Sequence, residues 1–148
     1  MGGQMSGNPI PTSNHLSRLC GGTTITEDGR ITGKAFRLRE DRNETYLSVN
    51  WLEFLKLKNR ESEIKEIQKV FIDKGFTLGT KARFGVLNTG EVKEHVLSRS
   101  PDGRKLSILH EPLDDDSSHS GINGLAFDDE LIGDLIAEKV IKSYPAKS

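Results

Sequence analysis

Only one cysteine, one tryptophan and two tyrosines occur in the 148 residues. A lone Cys20 cannot close an internal disulfide, which excludes a cystine-stapled secreted scaffold and makes a reducing, cytoplasmic setting the expectation. No run approaches the ~18 apolar residues of a membrane span, and no apolar signal segment follows the start. Hydrophobic residues amount to 34% and charged residues to 29%, which fits one modest core with polar segments attached. A strong excess of one charge is also missing, since the formal net charge is −1. With a sequence pI near 6.4 and no aromatics interleaved with basic residues, nucleic acid is not the favoured partner.

The near-neutral total conceals an asymmetry. Lys and Arg outnumber Asp and Glu by 18 to 13 over residues 1–109, whereas residues 110–148 carry 3 against 9. A weakly basic body with an acidic C-terminal quarter implies an anionic partner on the body, a cation on the acidic segment, or attraction between the two.

Residues 1–14 hold little that can be buried and are expected to form a flexible tail. Gly2 and Ser6 match the short pattern for N-myristoylation. Leu16, Leu19 and Cys20 lie at helical spacing before Gly21 and Gly22, which predicts a turn of helix. Thr23 to Leu38 reads as a β-hairpin around Glu27-Asp28-Gly29. Its outer face presents Arg37 and Arg39, candidates to grip a phosphate or carboxylate. Ser48 suits the N-cap of a short helix containing Trp51, Leu52 and Leu55. The strings AFRL and YLSVNWLEFL within residues 35–55 resemble small uncharacterised bacterial proteins, a resemblance that implies a bacterial source and no particular activity.

Glu61 to Gly75 is the clearest helix, with Ile64, Ile67, Val70 and Phe71 on one stripe, glutamates in its first turn and Gly75 as its stop. From Phe76 the period changes to two, with Ala82, Phe84 and Val86 alternating with polar or small residues. Asn88-Thr89-Gly90 predicts a hairpin turn, with Val92, Glu94 and Val96 on the return arm and His95 facing the other way. Leu106, Ile108 and His110 then share one face of a third strand. Residues 110–124 read as a loop, and Leu131, Ile132, Leu135, Ile136 and Val140 give a closing helix its apolar face. The expectation is α+β: a single two-layer domain over residues 15–144, with a mostly antiparallel sheet of about five strands, two main helices and a tail at 145–148.

Chemistry-bearing side chains concentrate in HEPLDDDSSHSGING, residues 110–124. One candidate is a divalent metal held by His110, Asp114, Asp116 and His119, able to activate water. Another is a metal-free site in which His95, His110 and His119 divide the roles of acid and base. Both describe a hydrolase of phosphoester or nuclease type. The favoured expectation needs neither metal nor cofactor: an accessory subunit meeting a protein partner through strand edges, Arg37 and Arg39, and the acidic run Asp114, Asp115 and Asp116.

Overall fold

The computed structural model describes residues 7–147. Its strands are β1 (Asn8–Pro9), β2 (His15–Cys20), β3 (Leu47–Trp51), β4 (Arg83–Asn88), β5 (Ser107–His110), β6 (His119–Asn123) and β7 (Lys142–Pro145). Its helices are α1 (Arg60–Asp73), α2 (Thr89–Arg99) and α3 (Glu130–Ala137), with single 3₁₀ turns between several elements. The strands form one sheet in the order β1-β5-β6-β3-β2-β4-β7, and every neighbouring pair is antiparallel. The α+β class stands. The sheet has seven strands rather than five, and it carries helices on both faces rather than one.

Register assigns each side chain to a face, because directly paired residues of an antiparallel ladder project to the same side. Leu47 pairs with Ile122, Ile108 with Ile122 and Leu16 with Trp51. This face packs against Val92 and Val96 of α2 and Ile132, Leu135 and Ile136 of α3. Phe84 and Val86 of β4 face the other way and pack with Leu52 and with Ile64 and Ile67 of α1. Both clusters are buried.

Several expected elements change type, each for an identifiable reason. Residues 15–20 form a strand because β2 is central and apolar on both faces, so its leucines show no alternation. Residues 47–51 form β3, with Leu47 and Val49 buried on one face, and only residues 53–55 make a 3₁₀ turn. The expected hairpin at 23–38 reduces to one bridge, Ile25 to Ile31, followed by a 3₁₀ turn at Gly33–Phe36. Asn88 does not open a hairpin turn. Its side chain accepts from the Glu91 backbone N–H and caps α2, so Val92 and Val96, four apart, sit on one helical face. The closing helix ends at Ala137, and β7 begins at Lys142, which was expected at the helix end, and runs to Pro145, the first residue of the expected tail.

Helix α1 forms as expected. Asn59 caps it by accepting from the Ser62 backbone N–H, and Gly75 beyond its end takes the left-handed conformation, φ 93°. Residues 7–14 are not a loose tail: β1 pairs with β5 and Ile10 is 3% exposed within the core. The myristoylation pattern at Gly2 and Ser6 lies outside the described residues. No described helix is long and apolar enough to cross a membrane.

Both edges of the sheet are short. The two-residue β1 ends on Pro9, and the four-residue β7 ends on Pro145. Among the described residues such edges disfavour strand addition.

Helix α3 sits directly on the Gly33–Phe36 turn. A Cβ on Gly133 would lie 2.7 Å from the Gly33 carbonyl oxygen, and one on Gly33 would lie 2.8 Å from the Asp134 backbone nitrogen. Gly133→Ala therefore gains up to about 1 kcal/mol of helix propensity but forces two backbones apart, for which overpacking costs run to about 3 kcal/mol. A net loss of about 1–2 kcal/mol is expected, visible as a lower urea midpoint with an unchanged slope.

Candidate functional site

Strands β2 and β3 are paired only through Leu16–Trp51 and Ser17–Asn50, while β2 continues beside β4 as far as Cys20. Beyond Ser17 the two central strands diverge. Trp51 N–H donates to Ser118 and Leu52 N–H to His15, so by alternation the Ser48 backbone groups turn towards β2. They find no strand there. Arg18 fills the gap: its Nη1 donates to the Ser48 carbonyl at 2.7 Å and its Nε to the Ala35 carbonyl at 2.6 Å.

A cleft of about 330 Å³ opens at this divergence. Arg18, Lys34, Arg37, Arg39, Arg42 and Lys74 line it, with Glu44 as the one carboxylate. Ser48, Asn50, His119, Phe71 and Phe76 complete its walls. Among the described residues Arg18, Lys34 and Arg42 have no carboxylate within salt-bridge distance, whereas Arg39 pairs with Asp41, Lys74 with Asp116 and Arg37 with Glu130. The Arg37 contact is 3.5 Å to an exposed glutamate, and its Nε is buried without a hydrogen-bond partner. Burial pulls the Arg18 guanidinium below its usual range, an effect that the Cys20 sulfur and the Glu44 carboxylate oppose. A guanidinium held by neutral carbonyls alone keeps its charge available to a ligand.

The histidines do not converge. His110 pairs with Ser120, and His119 pairs with Asn50. Ser120 follows His119 in one strand, so the two histidines project from opposite faces of the sheet. His110 is buried against Trp51 and Phe54, with ring centroids 5.2 and 4.6 Å away, and its Nε2 meets the Ser117 carbonyl at 2.8 Å. His95 lies on α2, where its Nε2 is 2.7 Å from a Glu138 carboxylate oxygen beyond α3. His119 alone of the three lines the cleft.

The acidic run divides in the same way. Asp114 and Asp115 are exposed. Asp116 is 2% exposed, accepts from Asn50 Nδ2 at 2.8 Å and faces Lys74 Nζ at 3.3 Å. The expected metal set of His110, Asp114, Asp116 and His119 is therefore split between two faces and an internal ion pair. Among the described residues no three His, Cys, Asp or Glu side chains converge as a metal site would require.

Of the expected binding residues, Arg37 and Arg39 reach the cleft. Arg18, Ser48 and Asn50 were not expected there, because their segments read as helices and only strand register brings them together. Cys20 also borders the cleft, with its thiol pushed up to about 11 by burial, which leaves it an unreactive neighbour. A wider depression of about 720 Å³ lies between residues 29–33 and the end of α3, but Arg30, Lys142, Asp134 and Glu138 give it charges of both signs.

No family model matches this chain, and neither the curated proteins nor the solved structures hold a match to it.

The split of the acidic run is directly measurable. Asp116→Ala leaves Lys74 unpaired and frees the Asn50 amide, an expected loss of about 3 kcal/mol. Asp114→Asn and Asp115→Asn are expected to change stability by less than about 0.5 kcal/mol. Denaturant midpoints of the three variants test this. Equal effects would show that Asp116 is not the internal anchor described.

Proposed function

We propose that this protein is a binding module for an anionic, phosphate-bearing ligand or partner group, which it takes into the cleft between β2 and β3. The observation that carries this reading is the Arg18 guanidinium. It is fixed by two backbone carbonyls, has no carboxylate partner within salt-bridge distance, and lies among five further basic side chains. Partly buried charge is costly unless something compensates it, and a concave cation cluster attracts and holds anions more strongly than scattered surface charges do. Arginine's planar fork suits the geometry of phosphate oxygens.

This keeps the accessory-subunit expectation and moves its contact surface. The acidic run has one member committed to Lys74, and the sheet edges are blunted. The cleft instead combines unpaired cations, the exposed hydroxyl of Ser48, and the partly exposed rings of Phe71 and Phe76. An organic group carrying a phosphate would meet both polarity and apolar surface there.

Calorimetric titration with inorganic pyrophosphate tests the reading. Saturable binding is expected, weakening as salt is raised. Loss of one charged hydrogen bond, worth about 1.5–3 kcal/mol, gives Arg18→Gln an expected drop of about 10- to 100-fold. Exposed Lys34→Gln and Arg42→Gln, which leave the fold untouched, are expected to weaken binding several-fold each. Absence of saturable binding, or unchanged affinity in all three variants, would overturn it.

A further inference from the structure

We propose that Ser48 and His119 form a nucleophile–base pair that hydrolyses a phosphomonoester held in the basic cleft; this rests on the anion-binding reading above. Strand register creates the pair. His119 lies directly across from Asn50, and Gly121 directly across from Ser48, so Ser48 and His119 are diagonal neighbours on one face of the β3–β6 ladder, a spacing that side chains span. His119 Nε2 is 3.2 Å from Ser48 Oγ.

The tautomer follows from the other ring nitrogen. His119 Nδ1 is 2.8 Å from the Glu111 backbone carbonyl, which can only accept. Nδ1 therefore carries the proton of the neutral ring, and Nε2 is left as an acceptor aimed at the serine hydroxyl. A hydroxyl, a base within hydrogen-bond reach and a third group orienting that base is the arrangement that activates a nucleophile. Exposure divides as the chemistry requires: Ser48 is open to the cleft, whereas His119 is 7% exposed.

Neighbouring groups hold the pair and supply charge. Arg18 projects from the opposite face of β2 but reaches the Ser48 carbonyl through the gap between the strands and lines the same cleft, so its guanidinium is available to the oxygens of a transferring phosphoryl group. The Tyr46 ring lies over Gly121, where a Cβ would come within 2.4 Å of it, and its centroid is 5.9 Å from that of His119. Gly121 thus admits the ring that walls one side of the imidazole.

In the first step Ser48 Oγ attacks phosphorus as its proton passes to His119 Nε2. The bond from phosphorus to the ester oxygen breaks in line with the attack, on the far side from His119, and the departing oxygen takes a proton from solvent water. In the second step water attacks the phosphoserine from that far side and gives a proton to the hydroxide so formed. The bond from phosphorus to Oγ breaks, Oγ recovers the proton held on Nε2, and inorganic phosphate leaves. One water is consumed and no oxidant or reductant is involved.

The full chain would be incubated with p-nitrophenyl phosphate and, separately, with a fluorophosphonate probe. Nitrophenolate release would be followed, and the modified residue mapped by mass spectrometry after acid quench. Modification at Ser48 by at least one reagent is expected, with none in Ser48→Ala. His119→Gln is expected to slow the reaction by about 10²–10⁴-fold. The mapping of modified Ser48 in the wild-type chain keeps the test informative if His119→Gln does not fold. A chain that binds pyrophosphate yet leaves Ser48 unmodified by both reagents overturns the proposal and spares the binding reading. Undiminished turnover in Ser48→Ala also overturns it. Failure to bind pyrophosphate at all removes both.

Discussion

The guanidinium of Arg18 stands in for a strand. Two central strands part company after a pair of residues, leaving the Ser48 carbonyl facing a gap in the ladder. Backbone acceptors withdrawn from strand pairing need another donor. Arg18 provides one, and its second bond to Ala35 ties the incoming 33–46 segment to the same point. The opening of the sheet, the course of that segment and the basic lining of the cleft all follow from this local substitution of a side chain for a backbone partner.

A second polar network holds the opposite wall. Asn50 Nδ2 donates to both Asp116 and Ser118 Oγ, and Asp116 also anchors Lys74 at the end of α1. Such a network rigidifies when its members are satisfied. It couples the helix that covers one face of the sheet to the connection that precedes β6, and so positions His119, directly after Ser118, with little freedom. The cleft is rigid on the side where its imidazole sits and rimmed on the other by arginines from an irregular segment.

What was legible in the sequence depended on the kind of signal. Helices α1 and α3 announce themselves because one face is apolar and the other polar. The strand ending at His110 shows its alternation clearly. Central strands hide, since β2 is buried on both sides and its Leu16, Leu19 and Cys20 imitate a helical stripe. Valines four apart satisfy both a helix and a strand, and at α2 the deciding residue is Asn88, equally suited to a turn and to a cap. The residues 119–123 contain little apolar area and read as loop, yet they occupy a sheet interior because neighbouring strands supply their hydrogen bonds. The site suffered accordingly. Arg37 and Arg39 were visible as exposed cations, whereas the meeting of Arg18, Ser48 and His119 depends on long-range register that local pattern does not encode. The clustering of His110 and His119 in sequence misled for the same reason: adjacent paired strands placed them on opposite faces.

Cys20 carries a consequence of its own. Its sulfur lies 3.3 Å from the Arg18 carbonyl, is 1% exposed and resists ionisation. Alkylating reagents can reach it only when β2 detaches from its surroundings, and that same event withdraws the guanidinium from the gap beside β3. The chain thus contains a single, chemically silent reporter placed two residues beyond the side chain that keeps its sheet open. The rate at which that thiol becomes modifiable is a clock for the lifetime of the cleft itself.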